Sequence, residues 1–313
     1  MVKASDGSRP VVIVTGAGIG LGRAYALHLA GLGWCVVVNN RLRAGPDGAP
    51  LPSSAEAVVA EIRAAGGEAV AHHDDVCAEG AGERVLATAL GAWGRLDALV
   101  NNAGVDQHMP FHRIGLEDFR RIMAVNFDGT VAVTHPIYRH MRDQGSGRIV
   151  VSVSSAGLHG LHGLTAYAAS KGALLAFMRS LAAEGAPHDV HCAAIAPYAA
   201  TRMTDPHLTD ELRATMTPEA VAPMVAAMVA PGSRLNGEAW VVGAGWARRA
   251  SAVEWGEGMP VGDAAVGIDS ILDGSVRKGV AAEPPRQFAD ALAAHADFLA
   301  SARQGLRGRS RGE

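Results

Sequence analysis

Short apolar runs alternate with longer stretches of helical spacing from about residue 10 to about residue 245. The runs are PVVIVTG (10–16), WCVVVNN (34–40), EAVAHHDDV (68–76), LDALVNNAG (96–104), GRIVVSVSS (147–155), HCAAIAP (191–197) and EAWVVGAG (238–245). Their Val- and Ile-rich centres lack strict polar alternation, which suits strands covered by helices on both faces. Strands that alternate with helices imply βαβ units. The pattern predicts an α/β fold with seven parallel strands in a three-layer arrangement.

Between the strands, SAEAVVAEIRAAGG (54–67) has an opening serine pair, apolar residues at helical spacing and a closing Gly-Gly, and so predicts a capped amphipathic helix. The stretch 115–143 predicts two helices, broken near Asp128 and Gly129 or bent at Pro136. RLRAGPDGAPLPS (41–53) predicts a loop, long for a βα connection. Residues 1–9 read as a flexible N-terminus and 10–246 as one domain. From 247 the strand and helix rhythm is lost until PRQFADALAAHADFLASAR (285–303) predicts a helix in a C-terminal extension. The basic end, GLRGRSRGE, is expected to be a disordered, solvated tail.

Composition narrows the class. The 313 residues carry 28 Lys+Arg against 31 Asp+Glu, a net charge of -3, so no global field favours nucleic acid or an anionic membrane. No run approaches the roughly 20 apolar residues of a membrane span, and the N-terminus has no signal-peptide core. Three scattered cysteines, Cys35, Cys77 and Cys192, fit neither a disulfide framework nor a metal cluster and point to a reducing cytoplasm.

The most informative stretch is TGAGIGLGRAYALHLAG, which follows the first strand and opens a helix. Glycines lacking Cβ let the backbone turn tightly beside a pyrophosphate, and the free N-H groups of the helix N-terminus favour an anion. Gly16, Gly20 and Gly22 in a GxxxGxG form, in this context, indicate dinucleotide binding. At the end of the second strand, where an acidic residue normally takes the ribose hydroxyls of NAD, stands Asn40. Neither Asn40 nor Asn39 repels a 2′-phosphate, and Arg41 could pair with one. The reading leans towards NADP with NAD as the alternative; in the other view Arg41 and Arg43 are solvated loop charges.

Tyr167 and Lys171 lie four apart in a strong helix and project from the same face. A free phenol has a pKa of about 10, too high for a base at neutral pH, but an adjacent ammonium favours its phenolate. Ser154, at the end of the fifth run, could hold a carbonyl oxygen where open α/β sheets place their sites. Neighbouring Ser152 and Ser155 leave its register open.

TGAGIGLG, Asp75-Val76, NNAG (101–104), Asn126, Ser154, the Tyr167 to Lys171 YxxxK element, and Pro197 with Thr201 occur in the order of the short-chain dehydrogenase/reductase family, which the chain resembles from about 10 to 246. It is further similar to the family's (3R)-hydroxyacyl-CoA dehydrogenase modules, found in peroxisomal multifunctional enzymes type 2 and bacterial relatives, through GLGRAYAL, VVVN, SSAEAVVAEIRAAGGEAVA, IAPYAATRMT and AWVVGAGW. In those modules a second-strand Asp selects NAD; Asn40 departs from this.

The resemblance implies a Rossmann-type doubly wound sheet of order 3-2-1-4-5-6-7, a homodimer or homotetramer, and an NAD(P)-dependent oxidoreductase that interconverts a ketone and a secondary alcohol, with a 3-oxoacyl or 3-hydroxyacyl thioester as the favoured substrate. Polyketide, quinone or steroid ketoreductases use the same residues. A dehydratase, an epimerase or a catalytically silent dinucleotide sensor are further readings, the last expected to have a broken Tyr-Lys pair.

Residue by residue, the resemblance makes Tyr167 the proton donor and acceptor, Lys171 the group that lowers its pKa and holds the nicotinamide ribose, Ser154 the substrate anchor and Asn126 a support for a proton-relay water. It gives Gly16, Ile19, Gly20 and Gly22 to the pyrophosphate and Asp75 and Val76 to the adenine. Asn102, Ala103 and Gly104 border the adenosine ribose, and Thr201, beyond Pro197, meets the carboxamide. His159, His162, Tyr198 and Met203 are candidates for lining the substrate pocket, against a solvated turn for the histidines and core packing for the methionine. The 13 histidines include close pairs, but only two imidazoles would converge in each, short of a zinc ligand set.

Overall fold

In the computed structural model, residues 7–201, 210–251, 253–254 and 286–287 are described. The first apolar runs become β1 (Val11–Thr15), β2 (Cys35–Asn39), β3 (Glu68–His72) and β4 (Ala98–Asn101), and the later ones β5 (Gly147–Ser152), β6 (Val190–Tyr198) and β7 (Ala239–Gly243). They pair in parallel in the order β3-β2-β1-β4-β5-β6-β7, as expected.

The sheet has one strand more than the seven predicted. β8 (Trp246–Ala250) folds back antiparallel on β7, with Gly243 opposite Trp246. Its sequence, WARRA, has no apolar run, because an exposed edge strand is held by backbone pairing alone. The first compact unit accordingly ends at Ala250, a few residues beyond the expected boundary; the second spans Ser251–Glu313. In that second unit, Arg286 and Gln287 pair antiparallel with Glu254 and Val253. Two residues of the predicted helix 285–303, Arg286 and Gln287, therefore lie in a strand pair, and the rest of it, with the basic end, lies outside the described residues.

Alternation along the strands sorts the core into two halves. Val12, Val14, Val36 and Val38 meet α1 (Gly20–Gly31), α2 (Ser54–Ala64) and α9 (Ala222–Val229) on one face. Val11, Ile13, Leu99, Ile149 and Val151 meet α3 (Ala81–Trp93), α5 (Gly129–Gln144) and α7 (Thr165–Gly185) on the other. Burial of both faces explains the absence of polar alternation.

The break foreseen in 115–143 is a change of helical pitch: α4 (Leu116–Met123) passes through a π turn (Ala124–Asp128) into α5, and Pro136 is accommodated inside α5. Two short helices, α6 (Ser155–His159) and α8 (Asp210–Thr215), complete the set used below.

Candidate active site

The sheet order reverses between β1 and β4, and there the C-terminal ends of the strands open a cleft of about 630 Å³. Residues from the ends of six strands line it, which is where doubly wound sheets bind their ligands. Of the residues singled out from sequence, Gly16, Ile19, Gly20, Asn40, Arg41, Asp75, Val76, Asn102, Ala103, Gly104, Tyr167, Lys171, Pro197 and Thr201 all line this cleft.

At one end, β1 turns into α1 through Gly16, whose φ of +63° disfavours any side chain with a Cβ. A Cβ there would also stand 2.8 Å from Ala103 Cα, and one on Gly22 would stand 2.3 Å from the Gly16 carbonyl oxygen. The turn is thus closed against β4 as tightly as backbone permits. Asn102 locks it: its backbone N-H donates to Thr15 Oγ1 (3.0 Å) and its Nδ2 to the Thr15 carbonyl (3.1 Å).

The N-cap of α1 is Ile19, which has no side-chain acceptor, and the first turn of α1 carries no acidic residue. The leading N-H groups of α1 keep their capacity for an anion. Bare backbone, an uncapped helix and no acid in the first turn fit a dinucleotide pyrophosphate.

At the end of β2, Asn40 Nδ2 donates to Ser54 Oγ (2.8 Å), which ties this strand end to the start of α2. Arg41 is largely exposed, with its guanidinium 3.6 Å from the Asp75 carboxylate. Asp75 Oδ1 also accepts from the Cys77 N-H (3.0 Å). Sequence reasoning missed Ser54 and Gly18: a Cβ on Gly18 would meet Ser54 Oγ and Asn40 Nδ2.

The reacting end is built by β5 and α7. Lys171 is buried and donates from Nζ to the Ser152 carbonyl (2.7 Å), with Nζ 5.6 Å from the centroid of the Tyr167 ring. Loss of hydration brings its pKa down to about 8. Tyr167 is shifted the other way: burial raises its pKa, a hydrogen bond with the Ser154 side chain lowers it, and the nearby Asp106 carboxylate raises it. The register among the serines is resolved as well. Ser152 offers its carbonyl to Lys171, Ser154 meets Tyr167 while its Oγ accepts from the Ala156 N-H (3.1 Å), and Ser155 begins α6.

Asn126 sits in the π turn, fully buried. Its Oδ1 accepts from the Val105 N-H (2.8 Å), and its Nδ2 donates to the Val105 carbonyl (2.9 Å) and to Ser170 Oγ (2.9 Å). The side chain holds the segment that follows Gly104 against α7.

Three of the four candidates for lining the substrate pocket lie outside the lining of this cleft. His159 and His162 are exposed and outside the cleft lining, and Tyr198 lines a separate cavity. Met203 lies outside the described residues. Among the described residues no three His, Cys, Asp or Glu side chains group as a metal site, and no helix is long and apolar enough to cross a membrane.

With this geometry in place, the family follows. Residues 10–212 match the model of the short chain dehydrogenase family, and the chain belongs to the short-chain dehydrogenases/reductases, NAD(P)-dependent oxidoreductases that interconvert ketones and secondary alcohols. It is similar to a protein of Mycobacterium tuberculosis named as a short-chain type dehydrogenase/reductase, with 42% identity over 240 residues, 76% of this chain and 84% of that one. It is 43% identical over 239 residues to the mouse peroxisomal multifunctional enzyme type 2, matching 75% of this chain but only 32% of the mouse enzyme. A 3-oxoacyl-[acyl-carrier-protein] reductase of Synechocystis is 38% identical over 196 residues, 62% of this chain and 76% of that protein. Among solved structures, a short chain dehydrogenase from Mycobacterium avium aligns with a TM-score of 0.75 at 34% identity, covering 88% of this chain and 96% of that one.

Proposed function

We propose that the chain interconverts 3-oxoacyl and 3-hydroxyacyl thioesters and prefers NADP(H) to NAD(H). The observation that carries the proposal is that Tyr167, in contact with Ser154, lines one cleft with buried Lys171 and the glycine turn. A bound dinucleotide supplies or accepts the hydride. Ser154 orients the substrate oxygen; Tyr167 gives its phenolic proton to that oxygen in reduction and takes it back in oxidation. Lys171 has a pKa of about 8 and is mostly protonated at neutral pH, so it stabilises the phenolate that Tyr167 leaves behind. With one N-H committed to Ser152, it keeps two donors for the hydroxyls of the nicotinamide ribose.

The substrate class rests on similarity to a 3-oxoacyl reductase and on the resemblance to hydroxyacyl-CoA dehydrogenase modules. The cofactor preference rests on an uncharged Asn40 at the end of β2, with the Arg41 guanidinium beside it. Asp75 and Val76 would hold the adenine and Thr201 the carboxamide, and Asn126 supports the site through the Val105 backbone. A homodimer or homotetramer is the assembly the family resemblance supports, and three free cysteines fit a reducing cytoplasm.

Oxidation of NADPH and NADH with acetoacetyl-CoA, run beside a panel of polyketide, quinone and steroid ketones, tests the proposal. Faster turnover of the thioester with NADPH is expected. Turnover confined to the ketone panel overturns the substrate class, and preference for NADH overturns the cofactor assignment.

A further inference from the structure

A second cavity of about 460 Å³ opens where β6 and β7 end and β8 begins. The hairpin that builds it turns on Ala244 and Gly245, both at positive φ (49° and 76°), as a two-residue type I′ connection requires. An alanine in that region is held against its preference, a kind of strain that clusters at functional sites. The turn sets Trp246 opposite Gly243 and Arg248 opposite Val241, while Gly243 is also the parallel partner of Tyr198. Directly paired residues point to the same side of a sheet, so Tyr198, Trp246 and Arg248 share one face. It is the face of Val241, which packs with the α7 core, and α7 carries Tyr167 and Lys171.

The chemistry of this cavity is specific. Trp246 is 82% exposed and Tyr198 42%, two aromatic surfaces left open to solvent. Arg248 is the one charged side chain among the described residues lining it, and it has no ion-pair partner among the described residues, whereas its neighbour Arg249 pairs with Glu238. No carboxylate lines the cavity among the described residues. Tyr198 follows directly on Pro197, which lines the reaction cleft, so the two sites share a border on β6.

We propose that this cavity is a subsite for the phosphorylated adenine end of an acyl-CoA thioester, with the aromatic rings against the purine and Arg248 on a phosphate. An exposed aromatic plane offers stacking to a base, and a guanidinium without an ion-pair partner among the described residues offers charge-assisted, bidentate bonds to a phosphate. The acyl-pantetheine arm would then cross the Pro197 border into the cleft. The inference deepens the proposed function and rests on the thioester reading.

The test compares acetoacetyl-CoA with acetoacetyl-N-acetylcysteamine, which presents the same thioester without the nucleotide, in the wild-type protein and in Arg248→Ala and Trp246→Ala variants. Arg248→Ala is expected to raise KM for acetoacetyl-CoA about tenfold, the loss of one charge-assisted hydrogen bond, with kcat unchanged and KM for the cysteamine thioester unmoved. Free CoA, titrated calorimetrically into protein saturated with NADP⁺, is expected to bind wild type and to lose affinity in both variants. Equal KM values for the CoA substrate, the same shift for both thioesters, or no binding of CoA to wild type would overturn the subsite. So would a changed oligomeric state of Trp246→Ala with unaltered KM, which would make this face a subunit contact. If neither thioester turns over, the substrate reading fails by itself and the CoA titration still decides the subsite.

Discussion

Lys171 is a buried cation in the free protein, and its cost can be read as a dependence of stability on pH. Its pKa is lowered from 10.5 to about 8 by burial. Below pH 8 the folded state carries the whole penalty of keeping the ammonium dry; between pH 8 and 10.5 the folded state releases its proton first, the unfolded state binds more protons, and stability rises. Worked through the linkage relation, the gain from this one group between pH 7 and pH 10 is about 2.5 kcal/mol.

Other groups titrate over the same interval, so the quantity to compare is wild type against Lys171→Met, a variant of similar length without the charge. The Ser152 carbonyl loses its donor in the variant, but that loss does not depend on pH and cancels in the comparison. Urea denaturation of both proteins at pH 7 and pH 10, without cofactor, gives the difference. Wild type should gain roughly 2 to 3 kcal/mol on the variant as the pH rises. A wild-type to variant difference that is the same at both pH values, or that moves in the variant's favour, would refute the assignment of Lys171 as a desolvated ammonium.

Arg41→Ala should raise KM for NADPH about tenfold and leave KM for NADH within about twofold, because a guanidinium on a phosphate is worth roughly 1.5–3 kcal/mol when it forms; initial rates with the two cofactors check this. Asn126→Ala removes the partner of both Val105 backbone groups and of Ser170, and should lower stability by about 2–4 kcal/mol with a matching fall in thermal midpoint, seen by calorimetry. Gly22→Ala forces a Cβ to 2.3 Å from the Gly16 carbonyl, and should weaken dinucleotide affinity by tenfold or more in fluorescence titration.

Much of the fold is legible in the chain because both faces of the sheet are covered, which turns seven strands into plain apolar runs. β8 is not legible that way. Its first four residues are exposed, and only the Ala244-Gly245 turn announces a hairpin. The π turn at Ala124–Asp128 is likewise a backbone event without a side-chain period, visible in sequence only as a break near Gly129.

Within the site, the glycine turn and the Tyr167-Lys171 pair are local patterns and can be read directly. Contacts between distant segments cannot: the approach of Arg41 to Asp75, the bond from Asn40 to Ser54 and the closeness of Asp106 to Tyr167 depend on how βα units stack. Tyr198 shows the limit of proximity in sequence. It is adjacent to the cleft residue Pro197, yet strand alternation points successive side chains to opposite sides, and it lines the neighbouring cavity.

The central claim is that Tyr167 moves the proton at the substrate oxygen. The most direct measurement is the rate of NADPH oxidation by acetoacetyl-CoA for wild type and Tyr167→Phe, with cofactor affinity measured on the same samples by fluorescence. The account predicts a fall in kcat of at least about a thousandfold with cofactor affinity nearly unchanged. Near-normal turnover by Tyr167→Phe would contradict it.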